Sequence, residues 1–195
     1  RRATAWALWG ATAAGPVRAT VLDDTGLLKQ GTHSVGVARQ YTGSAGKITN
    51  CQVAVTLAVA TDHDTVPVDV ARYLPRAWTD APARRTAAGI PADVTFQTKG
   101  DLGLAMLRAA ADDGLPLGDV LLADGDYGRL ADLRDWATDR GLPYAVGVHA
   151  TQHVWDLAGV WPESMPVAAY ADVRSARQYR RLSWRRDTNG GTLSA

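Results

Sequence analysis

Two short segments hold the residues best able to do chemistry: Val21-Leu22-Asp23-Asp24-Thr25-Gly26 and, far downstream, Val120-Leu121-Leu122-Ala123-Asp124-Gly125-Asp126-Tyr127-Gly128. In each, an apolar run delivers a carboxylate, and a glycine follows. An apolar run of that length reads as a strand, and the end of a sheet strand is where α/β proteins present reactive groups. Two carboxylates brought together there repel each other unless a cation lies between them, and hard divalent metals take oxygen ligands. The expectation is a Mg²⁺-type site for phosphodiester chemistry. Taken singly, Asp-Asp-Thr-Gly is also ordinary turn chemistry. Asp-Gly-Asp-Tyr-Gly imitates the start of a calcium loop, but the Glu such a loop needs at its twelfth position is missing.

The elements that must position these groups follow from periodicity and breakers. Residues 3–14 are expected to be helical up to Gly15-Pro16. Val17 to Asp24 reads as a strand and Gly26 to Gly31 as a turn. Ser34 to Tyr41 alternates, Thr42-Gly43-Ser44-Ala45-Gly46 is a turn signal, and Ile48 to Ala60 is a long β-type run. Val66 to Leu74, interrupted by Pro67, completes what reads as a three-stranded antiparallel meander over 17–74. Asp80 to Asp93 is expected to be loop or short helix. Lys99 to Asp113 is a helix stopped by Gly114, and Leu130 to Arg140 a helix ended by Gly141. Between and after them, Asp119 to Ala123 and Pro143 to Val148 read as strands. This order predicts an α/β fold, helices packed on a mixed sheet.

Composition sets the outer bounds. The 195 residues carry 46% hydrophobic residues, enough for one domain with a core and too many for a disordered chain. The formal net charge is +1, which decides nothing about nucleic acid. Of 21 basic residues only Lys29, Lys47 and Lys99 are lysine, and Glu163 is the single glutamate among 20 acidic residues. The arginine excess suits bidentate phosphate recognition and equally a codon bias. Cys51 is the only cysteine, so an intramolecular disulfide and a cysteine-based zinc site are both excluded. No stretch approaches the ~18–20 apolar residues of a membrane span. The opening Arg1-Arg2 with its Ala/Trp stretch is a poor targeting signal, and an internal start within a longer protein is expected.

The ordered set of local motifs resembles one family. Asp23-Asp24-Thr25-Gly26-Leu27-Leu28-Lys29-Gln30-Gly31 and Ser34-Val35-Gly36-Val37-Ala38-Arg39-Gln40-Tyr41-Thr42-Gly43 are similar to the first block of DDE transposases of bacterial insertion sequences, DDE superfamily endonucleases of the ribonuclease H-like class. The likeness continues in order through Asn50-Cys51-Gln52-Val53, Tyr73-Leu74-Pro75 with Trp78-Thr79-Asp80, Ala87-Ala88-Gly89-Ile90-Pro91, Phe96-Gln97-Thr98-Lys99, Ala123 to Gly128 and Gly141-Leu142-Pro143-Tyr144. Trp184-Arg185 and Thr188 extend it, where the family has a Trp-Arg-x-Gly-Thr segment. The implied organisation is a helical lead-in over 1–16, the first part of a ribonuclease H-like core over 17–150, and an irregular, Arg-rich region over 151–195.

The resemblance implies metal-dependent strand cleavage and strand transfer in DNA transposition. Three carboxylates hold two Mg²⁺ or Mn²⁺ ions, one activating water or a 3′-hydroxyl and the other stabilising the leaving oxygen. By position the first ligand is Asp23, from the family's Asp-x-Thr pattern, and the second Asp124, from Asp-x-x-Tyr-Gly. Asp24 and Asp126 rank below them, since alternation points Asp24 away from the face Asp23 uses. The family's third acid is a Glu on a downstream helix, and Glu163, in a Trp/Pro-rich stretch, does not match that motif. The 195 residues are therefore expected to be catalytically incomplete. The implied partner is double-stranded DNA (element ends and target), with a homodimer in the full-length protein, no membrane, and a cytoplasmic, nucleoid-associated bacterial setting.

Other basic and metal-binding residue types are weighed beside these. Lys29, Arg39, Lys47 and Lys99 flank the acidic motifs and are candidate phosphate contacts, as are Arg180 and Arg181 in the Arg-rich stretch 174–186. Each has an alternative as solvated surface charge. His149 and His153 stand four apart but lack a third ligand, and His33 and His63 are isolated. The Trp residues are expected to pack. Aspartyl-phosphate phosphohydrolase chemistry wants Asp-x-Asp after the first strand, which this chain does not have. A non-catalytic DNA-binding or regulatory transposase remnant is the alternative that the missing third acid supports.

Overall fold

In the computed structural model, residues 15–155, 163–179, 183–186 and 192–194 are described. Through Gly147 the chain forms one compact unit, and from Val148 a second.

The first unit is built on a strand whose pleat presents one apolar face from Cys51 onward. β3 (Lys47–Ala60) turns Cys51, Val53, Val55, Leu57 and Val59 to one face, all buried, with Gln52, Ala54 and Thr56 half-buried on the other. β1 (Ala19–Leu28) pairs antiparallel with it, from Ala19 opposite Ala60 to Leu28 opposite Cys51. On its other edge β1 takes β5 (Val120–Ala123) in parallel, and β6 (Tyr144–Val146) pairs parallel with β5. β2 (Ala38–Thr42) lies opposite Lys47–Cys51, and β4 (Thr65–Tyr73) opposite Val53–Ala60. The six-stranded mixed sheet therefore runs β2-β3-β1-β5-β6, with β4 also on β3.

Of the strands expected over 17–74, those read at 17–24, 48–60 and 66–74 lie as antiparallel neighbours β1-β3-β4, and β2 is a further strand on β3. β1 does not pair with β2. Both pair with β3, on its opposite edges, because fourteen residues of β3 give room for β2 and β4 to dock end to end along one side. β1 also runs on through Gly26, where a turn was expected. The glycine is required by close approach, since a Cβ there would lie 2.0 Å from Thr42 Oγ1. Pro67 sits on β4, which has no further partner among the described residues, and the ladder slips register beside it, as an edge strand tolerates for a residue without an N–H.

Between β4 and β5 come α1 (Arg76–Thr79), α2 (Pro82–Ala87) and α3 (Lys99–Asp112). Trp78 is buried and its Nε1 donates to the Val37 carbonyl at 2.8 Å, tying α1 to the entry of β2. α3 starts on a capping box: Asp101 N donates to Thr98 Oγ1 (3.1 Å) and Thr98 N to Asp101 Oδ2 (2.8 Å). It ends at Gly114, whose φ of +74° suits a residue without Cβ. After β5, α4 (Gly125–Gly128) and α5 (Ala131–Asp139) lead to β6. Leu104, Leu107 and Ala110 of α3 and Leu133, Trp136 and Ala137 of α5 close over Leu22, Val55, Leu57, Val59 and Leu121. Gly103 lets α3 approach β1: a Cβ on it would meet Leu22 Cδ2 at 2.7 Å.

In the second unit, β7 (His153–Val154) pairs antiparallel with β8 (Met165–Pro166), within a stretch expected to be irregular. α6 (Val167–Asp172), a 3₁₀ turn (Ala176–Gln178) and the antiparallel pair β9 (Ser183–Arg186) and β10 (Thr192–Ser194) follow. Tyr179 Oη donates to the Ala171 carbonyl at 2.7 Å, and Arg174 stacks on Tyr170 and bonds its hydroxyl. Among the described residues no helix is long and apolar enough to cross a membrane.

Candidate functional site

Register decides where the acidic motifs meet. The parallel ladder of β1 and β5 ends with Leu22 opposite Ala123, and the next residue on each strand is an aspartate, Asp23 and Asp124. Both line one open cleft of about 300 Å³. Asp24 and Thr25 of β1 contribute to it, as do Tyr41, Gly43 and Ser44 from the β2–β3 hairpin, Lys99 at the start of α3, and Asp126 of α4. The hairpin wall is fixed to β1: Ser44 Oγ donates to the Gly26 carbonyl and shares a hydrogen bond with Thr42 Oγ1, both at 2.9 Å.

Asp124 is held by the turn that follows it. As N-cap of α4, its Oδ1 accepts from Asp126 N (2.9 Å) and Tyr127 N (3.3 Å). α4 in turn presses backbone to backbone on the chain leaving β6. A Cβ on Gly128 would stand 2.1 Å from the Gly147 carbonyl, and one on Gly147 would stand 2.7 Å from Gly125 N. This four-residue helix was not foreseen. Asp23 Oδ1 accepts from Asp24 N at 2.7 Å.

Asp23 and Asp24 leave β1 on opposite faces, as strand alternation requires. Asp23 is accessible at the cleft mouth, whereas Asp24 turns toward the helices. There its Oδ2 meets Lys99 Nζ at 2.9 Å and Tyr127 Oη at 3.5 Å, the carboxylate and ammonium side chains being 18% and 29% exposed. The Asp23 carboxyl is held above the usual aspartate range. Partial desolvation is the main cause, followed by the Asp24 N–H, which opposes it, and then by the charges of Asp124 and Asp24, which add to it. The Tyr127 phenol is pushed well up, first by burial and then by Asp24, Asp124 and Asp23. The site thus concentrates negative charge that one ammonium only partly offsets.

Two carboxylates just past the end of the β1–β5 ladder fit a hard divalent cation by donor chemistry. Among the described residues no cluster of three or more His, Cys, Asp or Glu is placed to enclose one, so the set is an open one. The basic candidates scatter. Lys29 just beyond β1, Arg39 on β2 and Lys47 at the start of β3 are exposed and do not line the cleft. Lys99 lines it, engaged by Asp24. Arg180 and Arg181 lie outside the described residues. His149 and His153 are not on a helix, and His153 Nδ1 pairs with Ser164 Oγ at 3.1 Å. Tyr127, Tyr41 and Ser44 were not singled out from sequence. Only Tyr127 carried a signal, in its fixed spacing after Asp124.

A mixed α/β sheet that brings two aspartates together where its parallel β1–β5 ladder ends is a frame able to serve phosphodiester chemistry. The chain matches the DDE superfamily endonuclease family over residues 1–190 and belongs to that family. Its members are transposase-type nucleases that act on DNA and generally use divalent metal ions. No curated protein matches the chain.

Proposed function

We propose that these residues form the first part of a metal-dependent centre for DNA strand cleavage and strand transfer, with Asp23 and Asp124 as its Mg²⁺ or Mn²⁺ ligands. The observation that carries this reading is the β1–β5 register, which sets the two aspartates side by side in one cleft. A bound divalent ion supplies an activated attacking oxygen and stabilisation of the leaving one. The chain's own residues orient and polarise. Asp124 is locked by its cap, Asp23 by the neighbouring N–H, and the β2–β3 hairpin forms the wall against which a DNA backbone would lie. The DNA partners in this reading are element ends and target, and the full-length protein acts as a homodimer.

The centre is proposed to be incomplete. Asp126 lines the cleft but stands at the second variable position of the Asp-x-x-Tyr-Gly pattern, two residues after Asp124, and Glu163 lies in the second unit, exposed, without the family's Glu-helix motif. The 195 residues should bind Mn²⁺ weakly and nick supercoiled DNA slowly or not at all. Titration calorimetry with Mn²⁺ tests the assignment. Asp23→Asn and Asp124→Asn should each lower affinity by about tenfold or more, the order of one charge lost beside a divalent ion. Binding indifferent to both substitutions would refute it.

The open donor set also favours a second reading, a DNA-binding or regulatory remnant. Salt-sensitive DNA binding without metal-dependent cleavage would support that form.

A further inference from the structure

Lysine is an unfavourable choice where Lys99 stands. It opens α3, at the helix end where the peptide dipoles already concentrate positive charge and where acidic side chains are the stabilising ones. Asp101 in the same turn is spent on the capping box. What compensates Lys99 is not on its own helix but on β1: Asp24 Oδ2, at 2.9 Å, with Tyr127 Oη reaching the same oxygen at 3.5 Å. The pair is half-buried at the side of the cleft. Removing one partner would leave the other's charge half-buried and unpaired, which costs more than the pair itself contributes.

We infer that Lys99 is the resident cation of the acidic cleft. It permanently neutralises Asp24, so that the Asp23–Asp124 side takes one divalent ion and Asp24 serves as a positioning residue rather than a ligand. This rests on the proposed metal role of Asp23 and Asp124. Recruiting Asp24 to a second metal would require Lys99 to leave its only described carboxylate and would set its ammonium facing a divalent ion, which Coulomb repulsion opposes.

The test is a double-substitution cycle on the 195-residue chain, read by Mn²⁺ calorimetry and by urea unfolding. Asp24→Asn leaves Lys99 uncompensated and should weaken Mn²⁺ roughly tenfold. Lys99→Met leaves Asp24 uncompensated and should tighten it by a similar factor. The double variant, neutral again, should return to within about threefold of wild type with one ion bound. In urea each single variant should lower the midpoint and the double variant no further than the worse single, with the same coupling in EDTA and at saturating Mn²⁺. A double variant as weak for Mn²⁺ as Asp24→Asn, or coupling that vanishes when Mn²⁺ is added, would make Asp24 a ligand and overturn the inference. If wild type takes up no Mn²⁺, the ligand role of Asp23 and Asp124 fails. The resident-cation claim is then decided by the metal-free urea cycle, and additive losses reject it.

Discussion

At the scale of the residue, the acidic cleft works against the protein that carries it. Asp23 is crowded by Asp124 and Asp24 and partly desolvated, so its carboxyl ionises less readily folded than unfolded. A carboxyl with a raised folded pKa contributes stability below its unfolded value, and that contribution is lost as pH rises through the folded value. In EDTA, wild-type stability should therefore fall from acidic toward neutral pH across a window starting at the ordinary aspartate range. Asp23→Asn should flatten that limb and be the more stable variant at neutral pH, and Mn²⁺ should restore the wild type. Urea midpoints against pH measure it, and a variant less stable than wild type at neutral pH would contradict the crowding. That Asp23 and Asp124 would each follow an apolar strand run was legible in the sequence, because such a run needs no knowledge of distant contacts. The partner of Lys99 was not legible. Nothing local links residue 99 to residue 24, and a lysine beside an acidic motif looks the same whether it faces phosphate or carboxylate.

At the scale of the element, glycines were the most easily misread residues. Gly26 suggested a turn, yet β1 continues through it in register with Val53 of β3. Its real constraint is Thr42, seen only once the hairpin has folded back. Gly26→Ala should cost about 1–3 kcal/mol, the usual penalty for overpacking, and weaken Mn²⁺ binding as well, because the hairpin wall must move away from the cleft. Chemical denaturation and calorimetry on the same variant check both; an unperturbed midpoint would mean that the hairpin yields freely. Long periodic elements were readable: α3, α5 and β3 fall within a residue or two of their expected bounds. Short ones were not. α4 has too few residues for any periodicity, and its existence depends on the capping oxygen of Asp124 and on the bare backbone of Gly128 against Gly147.

At the scale of the molecule, the core cluster lies wholly before Gly147, from Leu22 to Leu142. A chain ending at Gly147 should therefore unfold cooperatively and retain the Mn²⁺ affinity of the longer one, as circular dichroism and calorimetry can establish; a loss of either would show that residues beyond Gly147 help hold the cleft. The sheet order was the part of the whole least available from sequence. Strands 17–24, 48–60 and 66–74 could be recognised, but that β2 would take the stretch of β3 beyond β4, opposite β1, depends on contacts that form only on folding.

One oxygen atom, Asp124 Oδ1, serves two masters in the proposed centre: it secures the first turn of α4 and belongs to the carboxylate proposed to take a cation. A glutamate, one methylene longer, would carry the same charge but misplace that oxygen and let the turn unwind, while an asparagine would keep the turn and discharge the cleft. Drift at position 124 is thereby channelled. The conservative-looking exchange is the damaging one for architecture, and a lineage that abandons chemistry can do so through asparagine with its fold intact.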